Sequence, residues 1–164
     1  MDFLVRTPVA SDAPAIAALH VRTWQETYAH LLPAGFFDEA HTRMRHDMWT
    51  HILGAPRPDR VVRLAEVDGV PTGFAFSGPS MGTADAQPPR ARQLYCLYVS
   101  RGAHGTGIGQ ALLDETLGAD PAMLWVAAQN PRAIAFYRRN GFAFDGVEQI
   151  DPGAPAITDA RMVR

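Results

Sequence analysis

Gly105, Gly107 and Gly109 alternate along His104-Gly105-Thr106-Gly107-Ile108-Gly109, directly ahead of Gln110-Ala111-Leu112-Leu113. Glycines at this spacing let a backbone turn tightly and approach a ligand without a Cβ in the way. With a helix following, the N–H groups of the turn point outward at its positive end, a site suited to a pyrophosphate. A second informative stretch begins about 25 residues later, Asn130-Pro131-Arg132-Ala133-Ile134-Ala135-Phe136-Tyr137-Arg138-Arg139-Asn140-Gly141-Phe142. On helical spacing Ala133, Phe136 and Tyr137 share a face.

Other chemistries fit less well. A dinucleotide fingerprint needs Gly-x-Gly-x-x-Gly or Ala, and the residue at its third position is Gln110. Gly78-Pro79-Ser80-Met81-Gly82 matches the nucleophile elbow of serine hydrolases. That motif requires a helix directly after the serine, whereas Thr83 to Pro89 reads as an irregular loop, and Asp85 and His104 would have to complete the triad. Cys96, the single cysteine, lies in the apolar run Leu94-Tyr95-Cys96-Leu97-Tyr98 and reads as a buried structural thiol. His41, His46 and His51 are five apart, which turns each about 140° from the last on a helix, so no metal site is expected.

The elements that must hold these residues follow from pattern. Phe3 to Arg6 reads as a short strand, and Ser11 as the N-cap of a helix running toward Trp24 and Tyr28. A second helical region spans about Phe36 to Leu53. Arg60 to Val67 and Thr72 to Phe76 flank the hairpin turn Asp68-Gly69, and Gln93 to Val99 reads as a buried strand. A helix within Gly105 to Leu117, a strand over Met123 to Ala127, and a helix over Pro131 to Asn140 stopped by Gly141 come next. Phe142 to Val147 and Ile157 to Val163 complete the chain as strands. Two helices, a hairpin and then a βαβαβ run predict an α/β (mixed α+β) fold, a central twisted mixed sheet of about seven strands with helices on both faces.

Composition narrows the partners. The 164 residues suit one domain, residues 1–164, large enough to fold without a metal or disulfide. Fifteen basic against 17 acidic residues give a net charge of −2, so nucleic acid is not an expected partner. All the basic residues are arginine, which excludes a Walker A loop and a Schiff-base lysine. No apolar run approaches the ~18–20 residues of a membrane span, and the amino terminus is not a signal peptide; a cytoplasmic protein without a membrane partner is expected.

Together the glycine loop and the Asn130–Phe142 helix resemble the two cofactor motifs of the GNAT superfamily of acyl-CoA-dependent N-acetyltransferases. The first is similar to that family's Arg/Gln-x-x-Gly-x-Gly/Ala loop and the second to its Asn-x-x-Ala-x-x-Phe-Tyr…Gly-Phe helix, over a matched region from about Arg60 to Phe144. The resemblance implies a sheet whose central parallel strands, Gln93–Val99 and Met123–Ala127, splay apart to admit the pantetheine arm of acetyl-CoA. It implies cofactor contacts at Leu97, Tyr98, Val99, His104, Gly105, Thr106, Gly107, Ile108, Gly109, Asn130, Arg132, Ala133, Phe136 and Tyr137. An N–H near Leu97 or Tyr98 would stabilise the oxyanion, and Tyr137 would protonate the departing thiolate. His104 departs from the pattern, and an imidazole carries less charge at pH 7 than the usual guanidinium, so a weaker or more pH-dependent hold on cofactor is expected. The first two helices wall the acceptor in this family; here they offer Trp24 and Tyr28 as an aromatic wall and Glu26 as attractor or base for an amine, with Glu66 a further candidate base. The resemblance thus implies transfer of acetyl from acetyl-CoA to a small-molecule amine in a ternary complex, with room for a homodimer, or else a non-catalytic acyl-CoA-binding domain of the same fold.

Overall fold

The computed structural model describes residues 2–82 and 86–164. Seven strands form one sheet: β1 (Leu4–Arg6), β2 (Val61–Val67), β3 (Val70–Pro79), β4 (Arg92–Val99), β5 (Met123–Ala127), β6 (Ala143–Ile150) and β7 (Thr158–Val163). Their order across the sheet is β1-β2-β3-β4-β5-β7-β6, and every neighbouring pair is antiparallel except β4 with β5. The helices are α1 (Ala13–Tyr28), α2 (Glu39–Gly54), α3 (Ile108–Thr116) and α4 (Pro131–Arg139).

Strand alternation sorts the core into two layers. Leu64, Phe74 and Phe76 face α1 and α2, where they pack with Ile16, Leu19 and Trp49. Ala65 and Ala75, next along the same strands, face α3 and pack against Ile108 and Leu112. Small residues there let α3 lie close to the sheet. Trp49 is fully buried, and its indole N–H donates to His20 Nδ1 at 3.1 Å.

Ser11 is not the cap of the first helix. It lies in a short 3₁₀ turn over Ala10–Asp12, and the Asp12 carboxylate accepts from Val9 N at 2.7 Å and from Arg6. Asp38 caps α2 by accepting from His41 N at 2.8 Å, which fixes where that helix begins.

The central gap comes from one extra residue. β3 and β4 pair as Phe76↔Cys96 and then Ser77↔Leu94, so Tyr95 has no partner of its own and forms a bulge. A bulge bends its strand and sharpens its twist. β4 and β5 stay in register only at Gln93↔Met123 and Leu94↔Leu124, before the bulge, and diverge beyond it.

Candidate active site at the strand gap

Two clefts meet where β4 leaves β5. The smaller, about 320 Å³, opens between the Ala103–Gly109 turn and α4; the larger, about 620 Å³, lies on the α1 and α2 side. Thr27, Leu97, Tyr98, Asn130, Ala133 and Tyr137 line both.

The smaller cleft is walled by backbone polarity. Gly105 and Gly107 adopt φ of 80° and 94°, the left-handed region a side chain disfavours, and Gly107 sits at the N-cap of α3. The first intrahelical bond of that end is donated by Ala111 to Gly107 O, so the N–H groups of Ile108, Gly109 and Gln110 have no intrahelical acceptor. The free edge of β4 adds further groups. Ser100 N donates to Thr72 O on the β3 side. Strand alternation turns Tyr98 N–H the same way, and turns the N–H and C=O of Leu97 and Val99 toward the gap. The Tyr98 amide is therefore occupied by β3, and of the two alternatives for the oxyanion only the Leu97 amide faces the opening.

Side chains of the glycine turn divide between the cleft, the turn itself and the core. Thr106 Oγ1 donates to Ala103 O at 2.7 Å, and Ile108 is fully buried against the sheet, so neither side chain lines the cleft. His104 lines it, with Nε2 2.9 Å from Val99 O. Arg132, Ala133 and Phe136 line it from α4, as does Arg139, which the motif reading did not include.

Asn130 joins the two sides. Its Oδ1 accepts from Ala133 N at 3.0 Å, capping α4, while its Nδ2 donates to Tyr28 Oη at 3.1 Å. Tyr137 is buried under the gap with its hydroxyl unpartnered among the described residues. Burial pushes that phenol well above the ordinary tyrosine range, which holds the proton on.

The larger cleft is aromatic. Trp24 and Tyr28, four apart on α1, pack edge to face at 5.2 Å, and Trp24 Nε1–H donates to Tyr98 Oη at 2.9 Å. Glu26 is elsewhere. Two residues along a helix is about 200° of rotation, so its carboxylate points away from the wall and accepts from Arg101 N at 2.9 Å. Glu66 is held by Arg6 at the far end of the sheet. A carboxylate does reach the larger cleft from an unexpected strand: Asp159 on β7, paired with Ala127 of β5. Burial, then the neighbouring Asp151, push its carboxyl up to about 6. Asp151 itself is occupied, accepting from Gly153 N and Ala154 N.

Groups weighed as alternatives do not assemble. Burial pushes the Cys96 thiol up to about 12, so it is protonated and a poor nucleophile. Asp85 lies outside the described residues, and among those described no helix follows Ser80 before β4. His41 lines the larger cleft while His46 and His51 are exposed, and no set of three metal-binding side chains gathers among the described residues. No described helix is long and apolar enough to cross a membrane.

The sequence profile described as Acetyltransferase (GNAT) family matches residues 20–142, three-quarters of the chain. The chain belongs to that family. A probable N-acetyltransferase of Mycobacterium tuberculosis is 28% identical over 145 residues, 87% of this chain and 80% of that protein. An uncharacterized N-acetyltransferase of Bacillus subtilis, YuaI, is 28% identical over 141 residues, 82% of this chain and 76% of that protein. Among solved structures, the PaiA N-acetyltransferase of Thermoplasma acidophilum in complex with coenzyme A shares the fold with a TM-score of 0.74, 19% identity and 98% coverage of both chains. The mixed seven-stranded sheet with its parallel pair at the centre is the GNAT fold that the two motifs implied.

Proposed function

We propose that this GNAT protein transfers the acetyl group of acetyl-CoA to a primary amine of a small molecule by direct attack in a ternary complex. The observation that carries the reading is the meeting of two clefts at the β4–β5 gap, with the unpartnered Tyr137 hydroxyl at the junction. One cleft offers what a pyrophosphate and a pantetheine amide need: the free N–H groups of the α3 start, the guanidinium groups of Arg132 and Arg139, and the β4 edge at Leu97 and at the Val99 N–H, the Val99 carbonyl being held by His104. The other offers an aromatic seat for an organic acceptor.

Bound acetyl-CoA supplies an acyl thioester, activated toward amines. Leu97 N–H faces the gap and can donate to the thioester oxygen as charge builds there. Asp159, ionised above about pH 6, takes the proton that the acceptor nitrogen loses as its bond to the acyl carbon forms. Tyr137, kept neutral by burial, gives an O–H hydrogen bond and then its proton to the sulfur as the carbon–sulfur bond breaks; solvent restores the phenol. Asp159 replaces Glu26 in the role of base, because it alone of the two lines the acceptor cleft.

The test follows release of free thiol from acetyl-CoA against a panel of amines, beside thermal unfolding with acetyl-CoA, NADH and ATP. Stabilisation by acetyl-CoA alone, thiol release with an amine, and a fall of about a hundredfold in Tyr137→Phe with cofactor binding retained are the expected results. Stabilisation without acetylation of any amine would instead assign a non-catalytic acyl-CoA-binding domain.

A further inference from the structure

The α2 wall of the acceptor cleft holds polar groups that the transfer chemistry does not use. Asp38 caps α2 so that His41 and Arg45 come from its first two turns, and residues four apart share a helix face. Both line the larger cleft. Arg45 has no carboxylate within 4.0 Å among the described residues; its guanidinium lies 5.3 Å from the Trp24 ring centroid, and its one polar contact is Nη1 to Met48 Sδ at 3.9 Å. Arg45 Nε and His41 Nε2 are both buried with no hydrogen-bond partner. A buried donor without an acceptor bears its full desolvation penalty, which exceeds the net worth of the bond and is larger for a charged group.

Two orphaned nitrogens on one helix face, one of them on an unpaired cation, call for an anionic acceptor of hydrogen bonds. Resting on the acetyl-transfer reading, we propose that Arg45 and His41 form a subsite for a carboxylate of the acceptor, so that the substrate class is an amine that also carries a carboxylate, with an apolar body between them.

The charge layout supports this. Asp159 stands at the β7 side of the same cleft, where it suits the amine, and Arg45 stands at the α2 side, where it suits the anion. The same cleft is lined by aromatic rings: Trp24, Tyr28 and Phe36 from the helical side, Tyr98 and Trp125 from the sheet. A single half-buried guanidinium balances one negative charge, which favours a carboxylate over a dianionic phosphate. His41 packs 4.9 Å from the Phe36 ring, and burial together with Arg45 lowers its affinity for a proton. A neutral imidazole with a free nitrogen can donate one N–H beside the guanidinium without adding charge.

Calorimetric titration with 3-phenylpropionate and its neutral counterpart 3-phenylpropionamide tests the subsite without any turnover. The carboxylate is expected to bind at least tenfold more tightly than the amide to the wild-type protein, the range of a charge-assisted hydrogen bond. That ratio should fall to about one in Arg45→Gln and shrink in His41→Phe, with thermal unfolding confirming that each variant folds. Equal binding of the two probes, binding of neither, or a ratio that survives Arg45→Gln overturns the proposal. Thiol release from acetyl-CoA is scored separately, so acetyl transfer can hold while the carboxylate subsite fails, and the reverse.

Discussion

Replacing Asp159 by asparagine should make the protein more stable and less active at once. Burial and Asp151 raise the carboxyl from an ordinary 3.8 to about 6. A carboxyl with a raised folded pKa holds its proton more tightly in the native state. Stability therefore falls as pH climbs from about 4 through about 6, and the full cost is present above that. The difference, 6 − 3.8, corresponds at about 1.36 kcal/mol per tenfold to roughly 3 kcal/mol. Asp159 is only half-buried, and solvent screening reduces this to about 1–2 kcal/mol. At about 2–4 °C per kcal/mol for a chain of this size, Asp159→Asn should melt about 2–8 °C higher at pH 7.5 and converge with the wild type toward pH 4. The same change removes the proposed base, so kcat/KM should fall about a hundredfold, and the wild-type rise of kcat/KM through about pH 6 should vanish. Thermal unfolding across pH 4–8 and steady-state thiol release make both measurements. Equal melting temperatures at pH 7.5, or a variant pH profile that keeps the wild-type inflection, would refute the reasoning.

Other outcomes follow from contacts in the two clefts. His104→Arg should tighten acetyl-CoA binding by about threefold to tenfold at low salt, with the gain fading as salt rises; calorimetry at two ionic strengths reads it. Arg132→Ala with Arg139→Ala should weaken acetyl-CoA binding by about tenfold while leaving the melting temperature of the free protein nearly unchanged, since both side chains are exposed. Trp49→Phe keeps most of the buried ring but removes the N–H that His20 Nδ1 accepts, and should cost about 1–3 kcal/mol in urea unfolding. His20 is not expected to change that result by protonating, because burial pushes it down to about 2.

Local signals carried much of the fold, and they stopped where the contacts became long-range. The strands Arg60 to Val67 and Thr72 to Phe76, the Asp68-Gly69 turn between them and the glycine run before Ile108 each rest on signals within a few residues, so each was legible in the chain. Met123–Ala127 was legible to the residue. Asp159 was not, because it reaches the cleft only through the antiparallel return of β7 beside β5. Nothing local marks Arg45 and His41 as cleft residues, because they line it only where α2 packs beside Trp24 of α1. Glu26 was misplaced for a local reason: Trp24 and Tyr28 share a face of α1, and a residue midway between them must face the opposite way. Thr106 and Ile108 were grouped with the glycines by motif, yet one hydroxyl is spent on the turn and the other side chain on the core.

The single surplus residue in β4 has a genetic consequence. The gap rests on strand length and not on any one side chain, so substitutions at Tyr95 should leave it open. Deleting Tyr95 would make Leu94 and Cys96 consecutive opposite Ser77 and Phe76 and remove the bend. β4 and β5 could then zip together along their length, sealing the Leu97 and Val99 edge and both clefts in one event. The opening at the gap is thus expected to tolerate point mutation and to be lost on a three-nucleotide deletion.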